Sequence, residues 1–327
     1  MGIEGLAPSP ALLLAGLALD AIFGDPQFRF HPIRLMGNTL SFFEKELRRL
    51  GHDGYRGGCI LLGLLVFTWV LIPSAVVLLL DYWNGVFGLA AHILWVYVLF
   101  ALRDLVDHVR AIQQAARRED LAAARSATAI LVGRDTDRMD LAACRRAAIE
   151  SLSENFVDGF LSPLFWYIVA GLPGLLLFKV ASTMDSMVGY KTPQYLNFGR
   201  CGARLDDAMN YIPARVAWAL LCFSALPFPV LSAEKGWRTG REQHAIVPGP
   251  SPGWSEATMA GILQRRLIGP IWKEGALVTD IWLGEDADPP GGSDEDVSHA
   301  IAVTITACGV AVVVAVVVLY EMQWLLV

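Results

Sequence analysis

The chain has 327 residues, of which 54% are hydrophobic and only 18% charged, with a net charge of −6. A soluble chain of this length carries nearer about 25% charge and divides into about two domains; blocks of apolar residues exclude that class here. The acidic balance leaves no basic footprint for nucleic acid. The five cysteines form no C-x-x-C pair, so they read as buried apolar thiols rather than a zinc site or a disulfide framework.

In chain order, PSPALLLAGLALDAIFG is short and carries Asp20. It has neither the positive leader nor the small-residue cleavage site of a signal peptide, so 7–23 is expected to be a retained first helix. Gly24-Asp25-Pro26 reads as the turn that closes it. Two charge-free runs follow, 59–80 and 85–102, and a third lies at 300–320; each reaches the roughly 18 residues that mark a membrane span. Between them, Leu105, Val109, Ile112 and Ala116 recur at helical spacing among charges, an amphipathic helix outside the hydrocarbon. Segments 160–178 and 212–231 are apolar but contain prolines, which membrane helices tolerate where neighbours re-satisfy the freed carbonyls; both read as interrupted or re-entrant. The acidic stretch 284–299, rich in Pro and Gly, reads as a mobile linker to the last span. The fold class is therefore an all-α integral membrane protein. It is a polytopic helical bundle with amphipathic and re-entrant helices and polar cytoplasmic loops, one membrane-embedded catalytic domain over 1–327.

All 26 Lys and Arg fall in four stretches, 24–58, 103–159, 179–215 and 232–299. By the positive-inside rule the first, second and fourth belong on the cytoplasmic side. The third joins them if both proline-bearing segments are re-entrant, and faces outward if both cross.

Polar clusters sit against these apolar segments. Asp25, His31 and Arg34 make either an interfacial anchor or an anion-binding corner. Downstream, Asp137 is placed to cap a helix on which Arg146, Glu150, Glu154 and Asp158 recur every fourth residue, with Ile149, Leu152 and Phe156 as an apolar stripe. Three successive acids on one face repel. They read either as a solvated face or as Glu150, Glu154 and Asp158 holding Mg²⁺ with a nucleotide. Gly133, Arg134, Asp135 and Thr136 just upstream can form a backbone nest for phosphate, and Asn155 lies within the same block. In KVASTMDSMVGYK, Asp185 stands between Lys179 and Lys191; ionisable groups at membrane depth are usually functional, although the lysines also suit interfacial anchoring. GARLDDAMNYIPAR packs Arg204, Asp206, Asp207, Asn210 and Arg215 into one short stretch, more than an interfacial cap requires. In HAIVPGPSPGWSEATMAG, Gly253 or Ser255 can cap a helix carrying Glu256, a weak signal alone.

Taken together, LDAIFGDP with HPIRLMG, GRDT, ESLSENFVDGFLSPLFW, TMDSMVGYK, GARLDDAMNYIPAR and WSEATMAG resemble the adenosylcobinamide-phosphate synthase family of cobalamin biosynthesis, polytopic membrane enzymes. These blocks run in the family's order from Leu19 to about Gly269. The resemblance implies ATP-dependent joining of aminopropanol, or its O-phosphate, to the corrinoid adenosylcobyric acid, with Mg²⁺. It implies catalytic roles for Glu150, Glu154, Asp185, Lys191, Asp206 and Asp207. The remaining candidates would bind substrate or phosphate: Asp25, His31, Arg34, Arg134, Asp135, Asn155, Asp158, Lys179, Arg204, Asn210 and Arg215. It further implies a multi-pass protein of the cell membrane, in contact with lipid and with other late cobalamin-pathway membrane enzymes, its active site facing the cytoplasm. Ser182 stands where the family usually has Asn, and GPSPGW around Pro252 lacks an Asn the family usually shows. A CDP-alcohol phosphotransferase would show Ala-Arg after its Asp-Gly, whereas Asp158-Gly159 is followed by Phe160. A membrane sensor of related fold would not need the acidic and basic clusters. A transporter would place its polar groups mid-span with two-fold internal symmetry.

Overall fold

In the computed structural model, residues 3–24 and 28–325 are described. Apolar composition and short polar joints give thirteen helices among them. These are α1 (Pro10–Phe23), α2 (Pro32–Arg49), α3 (Tyr55–Val66), α4 (Ile72–Trp83), α5 (Gly85–Leu99), α6 (Leu102–Arg117), α7 (Leu121–Leu131), α8 (Leu141–Asn155), α9 (Ser162–Val188), α10 (Arg200–Ala225), α11 (Ala233–Gln243), α12 (Pro252–Leu263) and α13 (Asp294–Leu325). A single antiparallel hairpin, β1 (Leu267–Lys273) and β2 (Ala276–Leu283), interrupts the helical order. The all-α reading holds, with this hairpin as the addition.

Four helical runs are long and apolar enough to cross a membrane: Tyr55–Trp83, Gly85–Arg117, Leu141–Val188 and Asp294–Trp324. The protein is thus a polytopic membrane protein. Three of the four coincide with the expected spans. Segment 7–23 forms the expected first helix, α1, but its 14 residues give about 21 Å of helix against a hydrocarbon core of about 30 Å. Segment 160–178 lies instead within the third run, whose interior is broken. Ala170 and Gly171 leave helical geometry, Gly171 at φ 62° with Pro173 just beyond. A Cβ at Gly171 would collide with the Leu6 carbonyl oxygen, and one at Gly174 with the Trp166 carbonyl oxygen. Eight residues along a straight helix separate groups by about 12 Å, so the chain reverses at Ala170–Gly171. Trp166 then packs beside Leu177, Phe178 and Met209. The other proline segment differs: α10 runs unbroken through Pro213 and ends at Ala225.

By packing, the chain forms two units. One comprises residues 1–101, 162–210 and 314–327; the other comprises 102–161 and 211–313. The chain passes between them four times.

In the first unit, α1 packs on α5, α4 on α5, and α2 and α3 on α9. Tyr167, fully buried, accepts from Ser9 N at 3.2 Å and meets His92 at 3.1 Å, tying α9 to the N-terminus and α5. In the second, the amphipathic α6 buries Leu105, Val109, Ile112 and Ala116 as its spacing requires, and α11 packs on α12. The cap of α8 is Asp140, accepting from Ala143 N at 2.6 Å, not Asp137. The cap of α12 is Ser251, not Gly253 or Ser255. The acidic stretch is not a free linker. Asp294 already begins α13, Arg117 grips it through two bonds of 2.7 and 2.8 Å, and Lys235–Asp288 and Arg265–Asp296 pin the rest.

Candidate functional site

In the second unit, a loop after α7 and one face of α8 bound a cavity of about 250 Å³, lined by Gly133, Arg134, Glu150, Ser151, Glu154 and Ile271. The stripe Ile149, Leu152 and Phe156 is fully buried, which turns Glu150 and Glu154 toward this space. Arg134, only 8% exposed at its side chain, donates to Glu150 at 2.5 Å. Its Nε is buried and has no hydrogen-bond partner, a donor poised for an anion. The next turn, Phe156–Leu161, widens into a π-helix that carries Asp158; such bulges are frequent at functional sites.

Glu256, 4% exposed on the wholly buried face of α12, joins this group from the other side. Burial pushes its carboxyl well above the usual range, the charges of Glu150 and Glu154 push further, and Arg134 opposes them. Its Oε2 has no hydrogen-bond partner. In the sequence Glu256 is a weak signal, one acid in the otherwise uncharged stretch GWSEATMAGIL. Among the described residues, no three His, Cys, Asp or Glu side chains stand close enough to hold a metal between them. A Mg²⁺ ion needs only one or two carboxylates when phosphate oxygens and water complete its shell, and this donor set fits that arrangement.

Two neighbours expected at the site are engaged elsewhere. Asp135 serves the hairpin: its backbone N donates to Trp272 O at 2.8 Å, and its carboxylate accepts from Glu274 N and Gly275 N at 3.2 and 2.7 Å. The expected nest therefore lacks that N–H. Asn155 turns its amide back onto Ser151 at 2.9 and 3.2 Å.

In the first unit, the loop after α9 and the start of α10 bound a larger cavity, about 380 Å³, with Lys191, Arg204 and Asp207 on its wall. Behind it lies a carboxylate cluster. Asn210, buried, donates to Asp206 at 3.0 Å and accepts from Ser162 at 2.5 Å. Burial pushes Asp206 up to about 7, with the charges of Asp185 and Asp207 adding to it and Asn210 opposing. Burial also raises Asp207, against the pull of Lys191. Arg200 and Tyr195, also on this wall, were not singled out in the sequence.

The other candidates stand apart from both cavities. His31 is buried at the start of α2, edge-on to Phe28 at 5.8 Å. Arg34 is exposed one turn later. Lys179 sits 6.0 Å from the Phe178 ring. Arg215 donates to Tyr211 O at 2.6 Å and stacks against Tyr211 and Trp254. Asp25 lies outside the described residues.

The CobD/Cbib protein family model matches residues 13–304, nearly the whole chain. The chain belongs to the CobD/Cbib family. A cobalamin biosynthesis protein CobD from Sinorhizobium sp is 37% identical over 314 residues, covering 91% of this chain and 94% of that protein. Its counterpart from Rhizobium meliloti (strain 1021) is 37% identical over 311 residues, covering 91% and 93%. One from Yersinia enterocolitica is 38% identical over 274 residues, covering 82% and 85%. No solved structure matches the chain. Both cavities fall inside the matched CobD/Cbib region.

Proposed function

We propose that this CobD/Cbib member is an enzyme of cobalamin biosynthesis that forms an amide from adenosylcobyric acid and aminopropanol or its O-phosphate, using ATP and Mg²⁺. The observation that carries the reading is the Arg134–Glu150 cavity, with an unsatisfied guanidinium nitrogen and three further carboxyls, in a chain of this family.

A carboxylate is a poor electrophile, and ATP supplies the phosphoryl group that activates it. Arg134 binds and orients phosphate oxygens, while Glu150 fixes the guanidinium. Glu154 and Asp158 stand on the same face to hold the cation, and Glu256, whose carboxyl burial pushes well above its usual range, lies beside them. Donors fixed in advance where charge develops stabilise it strongly. The nucleotide is cytoplasmic, so the site opens to that side of the cell membrane.

Membranes containing the protein, given adenosylcobyric acid, aminopropanol or its O-phosphate, and Mg-ATP, are expected to yield the amide with one nucleotide product, read by mass spectrometry. Glu154→Gln keeps shape and removes charge, and should slow product formation roughly a hundredfold, about 3 kcal/mol of transition-state stabilisation. Wild-type rates in that variant would return the acidic face to ordinary solvation, and no ATP turnover with either donor would overturn the reaction.

A further inference from the structure

The second half of α10 leaves an apolar stripe uncovered. Ile212, Val216, Ala219 and Phe223 recur at intervals of four, three and four, one face of a helix. Leu226 and Val230 continue the row past the helix end, into the turn before α11. Its large members are exposed, from 42% at Val216 to 65% at Leu226. Residues 216–233 carry no charged side chain.

The opposite face is small and closed. Ala214, Ala217, Cys222, Ser224 and Ala225 are buried. Helix α11 approaches this part of α10 closely, so that a Cβ at Gly240 would collide with Trp218. Helices in a membrane meet one another through small residues, and the small face of α10 already has its protein neighbours. The large face is left for lipid rather than for a second copy of this chain.

The turn 226–231 is built to leave water. Pro227 and Pro229 have no N–H to satisfy. Leu226 N donates to Phe223 O at 3.2 Å, Phe228 N to Ala225 O at 3.0 Å and Leu231 N to Phe228 O at 3.0 Å. Gln264 Nε2 donates to Val230 O at 3.3 Å. Contact with hydrocarbon demands backbone groups satisfied within the protein.

Charges at both ends limit the depth. Arg215, 3.5 Å from the Tyr211 ring, precedes the uncharged run, and Lys235, paired with Asp288 at 2.9 Å, follows it. From Val216 to Ala225 the helix is about 15 Å long, half of a hydrocarbon core of about 30 Å. Tyr211 and Trp237 are half exposed beside these charges, and such rings settle at the head-group level. The same unit contains the start of α13, one of the four runs long and apolar enough to cross a membrane.

We propose that the second half of α10 and the turn after it lie in the plane of one leaflet, stripe toward the acyl chains, as a monotopic anchor on lipid. A face of this kind sits about 5–10 Å into the boundary between head groups and acyl chains.

The test uses the full chain, its five native cysteines replaced, in phosphatidylcholine nanodiscs. Val216→Cys, Ala219→Cys, Phe223→Cys, Leu226→Cys and Val230→Cys each carry a nitroxide. Collisions with oxygen, which concentrates in lipid, and with a water-soluble nickel chelate report depth. Glu242→Cys, exposed on α11, sets the aqueous value, and Val313→Cys, exposed on α13, the hydrocarbon value. All five positions should favour oxygen over nickel relative to Glu242→Cys, at one shared depth of about 5–10 Å. Nickel collisions as frequent as at Glu242→Cys mean an open aqueous face and overturn the anchor. Spin–spin broadening with neither probe colliding means that a second copy covers the stripe, which overturns it too. A depth that peaks at about 15 Å around Ala219 or Phe223 and falls toward Val230 means a crossing helix, and overturns the in-plane placement.

Discussion

Asp206 is the residue whose setting has the clearest thermodynamic consequence. Its Oδ1 is buried without a hydrogen-bond partner, and its carboxyl is pushed from an ordinary 3.8 to about 7 by burial and by the charges of Asp185 and Asp207. The folded chain therefore keeps a proton that the unfolded chain has released over that interval. Stability from this group is full below about pH 4 and is lost as pH rises through about 7. The shift of roughly three pH units corresponds to about 4 kcal/mol. Asp206→Asn preserves an acceptor for Asn210 and removes the charge. The variant should show a flatter melting temperature between about pH 5 and 8, and should melt above the wild type at the alkaline end. A wild-type slope retained in the variant would place the proton on another group.

At the scale of elements, the hairpin shows what spacing reveals and what it hides. Helix α6 is legible because its apolar residues recur at 3.6, and the four read from sequence are all buried, with Val106 and Gln113 beside them. The hairpin was not: LIGPIWKEGALVTDIWL is apolar without clean alternation, and its turn is Glu274-Gly275 rather than Asn-Gly. Both turn residues adopt positive φ, 53° and 78°, as a two-residue turn between twisted strands requires. Asp135 stabilises that turn from a distant loop, a partner that no local spacing reveals. Asp137 suits a cap by spacing, but the helix begins later and Asp140 takes that role. Glu256 was undervalued for the same reason, because its neighbours Glu150 and Glu154 belong to a separate helix more than a hundred positions earlier. Asp135→Ala should cost about 1–2 kcal/mol through the two unsatisfied turn amides, seen as a lower melting temperature with the KM for ATP unchanged. A raised KM at unchanged stability would return Asp135 to the phosphate site.

For the whole molecule, the reversal within α9 decides which side of the membrane the loop 189–199 faces. Split at Ala170–Gly171, α9 leaves Ser162–Val169 and Leu172–Val188, about 12 and 25 Å of helix; the helical turns ahead of Ser162 carry Glu150, Glu154 and Asp158, so neither arm offers about 30 Å of apolar helix. A hairpin that enters and leaves by one face keeps its backbone satisfied against neighbouring protein. The Trp166–Leu177–Phe178 packing and the hydrogen bond from Trp166 to Met209 O at 3.0 Å provide such neighbours. If this run turns back and α10 stays on the same face, while 59–80, 85–102 and 300–320 cross, all 26 Lys and Arg lie on one side, as the positive-inside rule favours. A full crossing at α9 would instead place Lys191, Arg200 and Arg204 outside, away from cytoplasmic ATP. Gln194 reports the difference, being exposed in the loop between α9 and α10. Cysteine placed there, in a chain whose five native cysteines are replaced, should react with an impermeant maleimide only in inverted vesicles or opened cells. Labelling of intact cells from outside would mean that Leu141–Val188 crosses the membrane, and the cytoplasmic placement of this cavity would be wrong.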